Sequence, residues 1–152
     1  MRSAWVNTIM GLIGMVASAT SNDVMASSPG PALVKAGRVV YQQSCASCHG
    51  ARGEGSPAWQ RPDRQGELPA PPHDSEGHTW KHSDAMLYRI VQQGWRDPFN
   101  KTQRLTMPAF QGQISRRETI AVISYLKTLW TPEQRRFQKR ESEHRPFPPE
   151  AP

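Results

Sequence analysis

Apolar residues in this chain fall into separate stretches, and the first is unlike the rest. Ile9-Met10-Gly11-Leu12-Ile13-Gly14-Met15-Val16-Ala17 is continuous rather than periodic. It is shorter than the roughly 20 residues that a membrane-spanning helix needs, and it fits the apolar region of a signal peptide. Arg2 supplies the positive start, and two small-residue cleavage sites follow, Ala17-Ser18-Ala19 and Val24-Met25-Ala26. The expectation is a signal peptide over residues 1–26, cleaved after Ala26, and a periplasmic or otherwise extracytoplasmic protein with no stable membrane span. Cleavage after Ala19 and a retained anchor are the alternatives.

The later stretches are periodic. Residues 27–31, Ser-Ser-Pro-Gly-Pro, read as a linker, with Pro31 suited to the first turn of a helix. Leu33, Gly37, Val40 and Tyr41 then share one helical face from residue 32 to about 44. Ser83 or Asp84 caps a second helix with Met86, Leu87, Ile90 and Val91 on its inner face and Gly94 at its end. Ser115-Arg116-Arg117-Glu118 is a capping box opening a third, whose stripe is Val122, Ile123, Leu126, Leu129 and Trp130. Thr131-Pro132-Glu133-Gln134 is a further start signal, but residues 132–143 are nearly all polar. That helix is expected to dock through Phe137 alone or to fray, followed by a Pro-rich tail from Arg145 to Pro152, extended or disordered. Residues 50–82 and 95–114 carry no helical period, and neither strands nor repeats are evident. The pattern describes an all-α domain over 32–130, three to four short helices with long loops, and a polar helix and tail over 131–152.

Composition makes those loops harder to explain. Only 36% of residues are hydrophobic, against 14 prolines and 11 glycines. A stretch as long and irregular as 50–82 is unusual inside a domain unless it wraps around something. The chain has two cysteines, Cys45 and Cys48. Such a pair can form a disulfide, a redox-active dithiol or an anchorage for haem. His49 decides among them. In Cys45-Ala46-Ser47-Cys48-His49 the thiols are spaced to add across two vinyl groups of a porphyrin, and the adjacent imidazole is placed to ligate its iron. A dithiol has no use for that histidine, and the βαβ pattern expected around it is missing.

Gly37, Tyr41 and Cys45 are spaced by four and line one helix face that ends at this motif. Together with Cys-x-x-Cys-His, they resemble the class I, monohaem cytochrome c family, and the resemblance spans roughly residues 32–130. It implies an all-α, cytochrome c-like fold around one covalently bound haem c. It also implies close crossing of the first and last helices at Gly37, with Gly37 and Tyr41 against Tyr125 and Leu126. A proline carbonyl that accepts from the proximal imidazole has its nearest match in Pro71, with His73 in place of the usual leucine beyond it.

For the sixth iron ligand the candidates are Met86, Met107, His73, His78 and His82. Met86 sits on a helical stripe, where packing is the ordinary role. Met107 lies in an irregular loop before Pro108, and a thioether favours ferrous iron. Thr106-Met107-Pro108-Ala109-Phe110 also resembles the family's distal-methionine segment. The expected site is therefore Cys45, Cys48, His49 and Met107, with His49 and Met107 on the iron. At least two of the three histidines are expected to be surface or neighbouring groups, and Trp80 or a nearby polar group to bond a haem propionate.

The formal net charge is +6, with pI near 9.8. Removing residues 1–26 leaves it unchanged, because that segment holds one charge of each sign, Arg2 and Asp23. No nucleic-acid-binding motif accompanies the charge, so an acidic face on a redox partner is the expected counterpart. Arg61, Arg64, Arg135, Arg136, Lys139 and Arg140 are candidates for steering it. The function expected is single-electron transfer between exported or membrane-bound partners, without substrate turnover. A haem enzyme or gas sensor with an open distal position, and a cytochrome subunit of a larger oxidoreductase, are the alternatives.

Overall fold

A computed structural model describes residues 29–148. The expected signal segment 1–26, linker residues 27 and 28, and residues 149–152 lie outside the described residues. Five α-helices follow one another: α1 Pro31–Ser44, α2 Ala46–His49, α3 Asp84–Gln93, α4 Arg116–Leu126 and α5 Pro132–Glu143. Two 3₁₀ turns cover Thr79–Lys81 and Lys127–Leu129. The extra helix relative to the expected three to four is α2, a single turn carrying the cysteine motif. Among the described residues no helix is long and apolar enough to cross a membrane.

Local sequence sets the helix ends. Pro31 opens α1, and the Ser83 hydroxyl accepts from the Met86 amide to cap α3. Reciprocal capping boxes form at Ser115/Glu118 and Thr131/Gln134. Gly94 ends α3 with φ of 76°, the left-handed region that glycine enters without a Cβ penalty. The third predicted helix stops earlier than its apolar stripe suggests, tightening into the 3₁₀ turn after Leu126.

The main helix pair is α1 against α4. A Cβ added to Gly37 would stand 1.9 Å from the Ala121 carbonyl oxygen and 3.0 Å from Tyr125 Cβ. The closest backbone approach is therefore at Ala121, one turn before Tyr125, and the expected Gly37–Tyr125 contact is present beside it. Tyr41 still meets Tyr125, with ring centroids 5.3 Å apart. Tyr41, Val122, Ile123, Leu126 and Trp130 form the buried centre, joined by Leu87 and Ile114.

The expected docking of α5 through Phe137 alone is not what holds this helix. Gln138 is 1% exposed, and its amide donates to Asp84 Oδ1 at 2.7 Å and the His82 carbonyl at 3.3 Å. Ser142 Oγ accepts from the Asp84 amide at 3.0 Å, and Lys127 Nζ lies 2.6 Å from Asp84 Oδ1. Phe137 adds an edge contact to Trp80 at 5.5 Å. A polar helix is thus seated by buried polar groups that satisfy one another at the start of α3. The following segment turns back rather than extending away: the Arg145 carbonyl accepts from the Ala85 amide, and Phe147 packs on Tyr88.

Candidate functional site

Cys45 breaks the helix that begins at Pro31, with φ −119° and ψ −36°, and α2 starts afresh at Ala46. The break is tied down by Tyr41, which is fully buried and donates its hydroxyl to the Gly50 carbonyl at 2.8 Å. Burial keeps that hydroxyl protonated far above the usual range. Beyond α2, the loop after Gly50 pairs with the segment around residues 70–74. Ser56 N donates to Ala70 O, and His73 N donates to Gly53 O at 2.7 Å. This pairing delivers the Pro71 carbonyl to His49 Nδ1, 2.9 Å away. A carbonyl only accepts, so Nδ1 carries the proton and Nε2 is left with its lone pair. Burial lowers the His49 pKa, with the Pro71 bond acting in the opposite sense, so the ring is held neutral.

His49, Cys45 and Cys48 line a cavity of about 710 Å³. Leu87, Ile90 and Val91 of α3 and Val122, Ile123 and Leu126 of α4 supply an apolar lining. Another wall is the 95–107 segment, which folds on itself: Trp95 and Met107 exchange both backbone hydrogen bonds at 2.9 Å as an isolated antiparallel bridge. Met107 and Trp95 both line the cavity, and so does Met86. All four residues expected to bind the cofactor therefore border one space.

Of the two roles expected for most of the histidines, surface or neighbouring group, they take the second. His73, His78 and His82 all line the cavity. The His73 ring stacks on His49 at 4.0 Å, and its Nδ1 is 2.8 Å from Thr79 Oγ1. Face-stacked imidazoles lie side by side, whereas two axial ligands of one iron must point at each other, so His73 shares the His49 wall. His78 stacks on Trp59 at 5.6 Å and meets His82 edge-on at 5.3 Å. Trp80 turns away instead. Its indole donates to the Gly77 carbonyl at 3.0 Å and its ring meets Phe137, which removes it as a propionate donor. Trp59, Trp95, Glu67 and Asp97 also line the cavity; they lie in segments without periodicity, so no sequence signal marked them.

Neither cysteine is in a disulfide. Burial, with Cys48 beside it, pushes the Cys45 thiol up to about 11. A redox-active dithiol depends on a depressed thiol, so Cys45 is poorly suited to be the attacking one. The cytochrome c family profile matches residues 34–130. The chain belongs to the cytochrome c family. The cytochrome is also similar to the solved structure of cytochrome cL from the marine methylotrophic bacterium Methylophaga aminisulfidivorans. That match has 17% sequence identity and a TM-score of 0.50, and it covers 93% of this chain and 87% of the other. At that identity the likeness speaks for the fold, which is all-α and cytochrome c-like. Among curated protein sequences, no significant match was found.

Membership makes the cofactor covalently bound haem c, with its iron, and the cytochrome a carrier of electrons. The residues present suit that group. Two thiols and a neutral imidazole with a lone pair stand together at a cavity lined by the helix core, within the size range of cofactor sites.

Proposed function

We propose that this cytochrome is an exported single-electron carrier, with Cys45 and Cys48 as thioether anchors and His49 and Met107 as axial ligands. Bound haem supplies the one-electron chemistry of its iron. The observation that carries the reading is the convergence of the His49–Pro71 pair, the two thiols and Met107 on one apolar cavity.

Each residue has a physical task. Pro71 orients the His49 ring and raises its basicity through Nδ1. The α3 and α4 side chains exclude water, and an apolar surround together with a thioether ligand favours the ferrous state. Met107 is preferred to Met86 because both its backbone groups are fixed by Trp95 in an irregular loop, whereas Met86 lies on the apolar stripe of α3, where packing is the ordinary role. With haem bound, His49 and Met107 would hold the iron from this chain's own side chains and leave no position open, so that its one-electron chemistry would need little rearrangement.

Partners of acidic character fit the surface of the loops beside Met107. Phe99 is 85% exposed, and Arg61, Arg64, Arg96 and Lys101 are exposed on the same loops. Of the acids there, Asp97 is buried and accepts from the Leu68 amide, while Asp63 is exposed and accepts from the Gln65 and Glu67 amides. Export is supported by the composition of residues 1–26.

The test is a set of visible spectra of the oxidised and reduced protein for wild type, Met107→Ala and Met86→Ala. Loss of the low-spin methionine signature in Met107→Ala, with Met86→Ala unchanged, is expected. The reverse pattern would transfer the ligand role to Met86. A wild-type protein that is high-spin and binds carbon monoxide rapidly would replace the carrier reading with an open-site one.

A further inference from the structure

The segment that carries Met107 has little apolar surface with which to hold itself in place. Of its large apolar side chains, Phe99 is 85% and Leu105 41% exposed, and the half-buried Trp95 and Met107 line the cavity. Its attachment to the facing loop is polar, and one side chain gathers most of it. Glu67 is only 8% exposed. Its Oε1 accepts from Asn100 Nδ2 at 3.2 Å, Thr102 Oγ1 at 3.1 Å and Arg104 Nε at 3.2 Å, while Oε2 takes Arg104 Nη2. Every donor comes from residues 100–104. A carboxylate so enclosed is tolerated only because its lone pairs are filled.

The bonds continue from there to Met107. Asn100 Oδ1 accepts from the Thr102 amide at 2.7 Å, which fixes the tip of the hairpin. Thr106 Oγ1 accepts from the Asp97 amide at 3.3 Å, and Met107 is bridged to Trp95 on both sides. Asp97 Oδ2 also accepts from the Leu68 amide of the facing loop at 2.7 Å, next to Glu67 itself. Glu67, Asp97, Thr106 and Met107 all border the cavity. The network therefore forms the cavity wall in which the thioether sits.

We propose that Glu67 is a positioning residue for Met107, locking the 95–107 hairpin to loop 63–68 and so keeping the sixth iron position closed to outside ligands. This rests on the reading of Met107 as ligand. Glutamate suits the task better than glutamine. An amide in the same place would keep the three bonds at one atom but turn an NH₂ group toward Arg104. Arg104 itself is 72% exposed, so its share of the pairing is screened by solvent. Asn100, which is buried, and the half-buried Thr102 carry the lock.

The experiment uses the haem-loaded protein as wild type, Glu67→Ala, Glu67→Gln, Arg104→Ala and Met107→Ala. Three readouts are taken: the long-wavelength absorption band of thioether-ligated ferric iron, carbon monoxide binding by the ferrous protein, and hydrogen exchange at the Trp95 and Met107 amides. In Glu67→Ala the band weakens, both amides exchange faster, and carbon monoxide binding speeds up about tenfold or more as the open fraction grows. Glu67→Gln falls between it and wild type, and Arg104→Ala stays near wild type. A folded Glu67→Ala with the wild-type band and wild-type ligand binding overturns the proposal, even if its amides exchange faster. Where Glu67→Ala does not fold, Glu67→Gln decides: behaviour identical to wild type in all three readouts overturns it. Failure of the ligand reading is separate, because it appears as an unchanged spectrum in Met107→Ala.

Discussion

Four imidazoles border the cavity, and burial is the leading cause that lowers the pKa of each. His78 and His82 also face each other, with Lys81 beside both, so charging either one brings cations together. Trp59 against one face of His78 and the nearby His73 give no anion in exchange. The sign of the effect on stability follows from linkage. An unfolded histidine takes up its proton near pH 6.5, whereas these side chains stay neutral to lower pH in the folded protein. Their contribution is complete above that pH and is lost as the pH falls below it. The thermal midpoint of the haem-loaded protein is expected to drop between about pH 7.5 and 5, with a shallower drop in a His78→Gln/His82→Gln variant. Equal slopes in the two proteins would remove these histidines as the cause. Sequence spacing placed His78 and His82 on either side of Trp80 but carried no information about which way a loop side chain turns.

At the level of elements, the crossing of α1 and α4 depends on the absence of one methyl group. The Gly37 position meets the carbonyl of Ala121, part of a helix backbone that has no rotamer by which to yield. Gly37→Ala is expected to destabilise the protein by about 1–3 kcal/mol, the usual range for overpacking. Helix propensity alone would change stability in the opposite direction, by roughly 1 kcal/mol in favour of alanine. Denaturant unfolding therefore separates the two effects by sign, and a stabilised variant would show that the helices can move apart. The caps of α3, α4 and α5 were legible in the sequence because each closes within one helical turn. The seating of α5 was not, because Gln138 and Asp84 are 54 positions apart and neither is apolar. A search for a hydrophobic stripe passes over a helix held by satisfied polar groups.

For the molecule as a whole, the net charge of +6 acts through its distribution. Around the Met107 loops, Glu67 and Asp97 are buried while arginines and Lys101 are exposed, with exposed Asp63 and Phe99 among them. Electron exchange with a small anionic redox reagent is expected to be faster than with a cationic one of equal driving force. That difference should shrink as ionic strength rises past about 0.1 M, where the screening length is about 10 Å. Stopped-flow rates measured across salt concentrations check this, and a rate ratio independent of salt would dispose of electrostatic steering. Phe99→Ala should leave the small-reagent rates unchanged, since an apolar contact is needed only for a protein surface.

The sequence by itself determined what depends on near neighbours in the chain. Cys45, Cys48 and His49 lie within one turn, the capping residues close over three positions, and the apolar stripes of α1, α3 and α4 repeat with the helical period. From these, the haem motif, the all-α class and the candidate methionine loop could be named. Tertiary structure decided the partners of groups far apart in sequence. It seated a polar helix on Asp84, turned three histidines toward the cavity and Trp80 away from it, and tied Glu67 to residues 100–104, while the Pro71 carbonyl, to which the family resemblance had already pointed, reaches His49 across 22 positions. The physical reason is that loop side chains follow no period. Where each one points is set by which buried donor or acceptor must be satisfied, and that is known only once the chain has closed on itself.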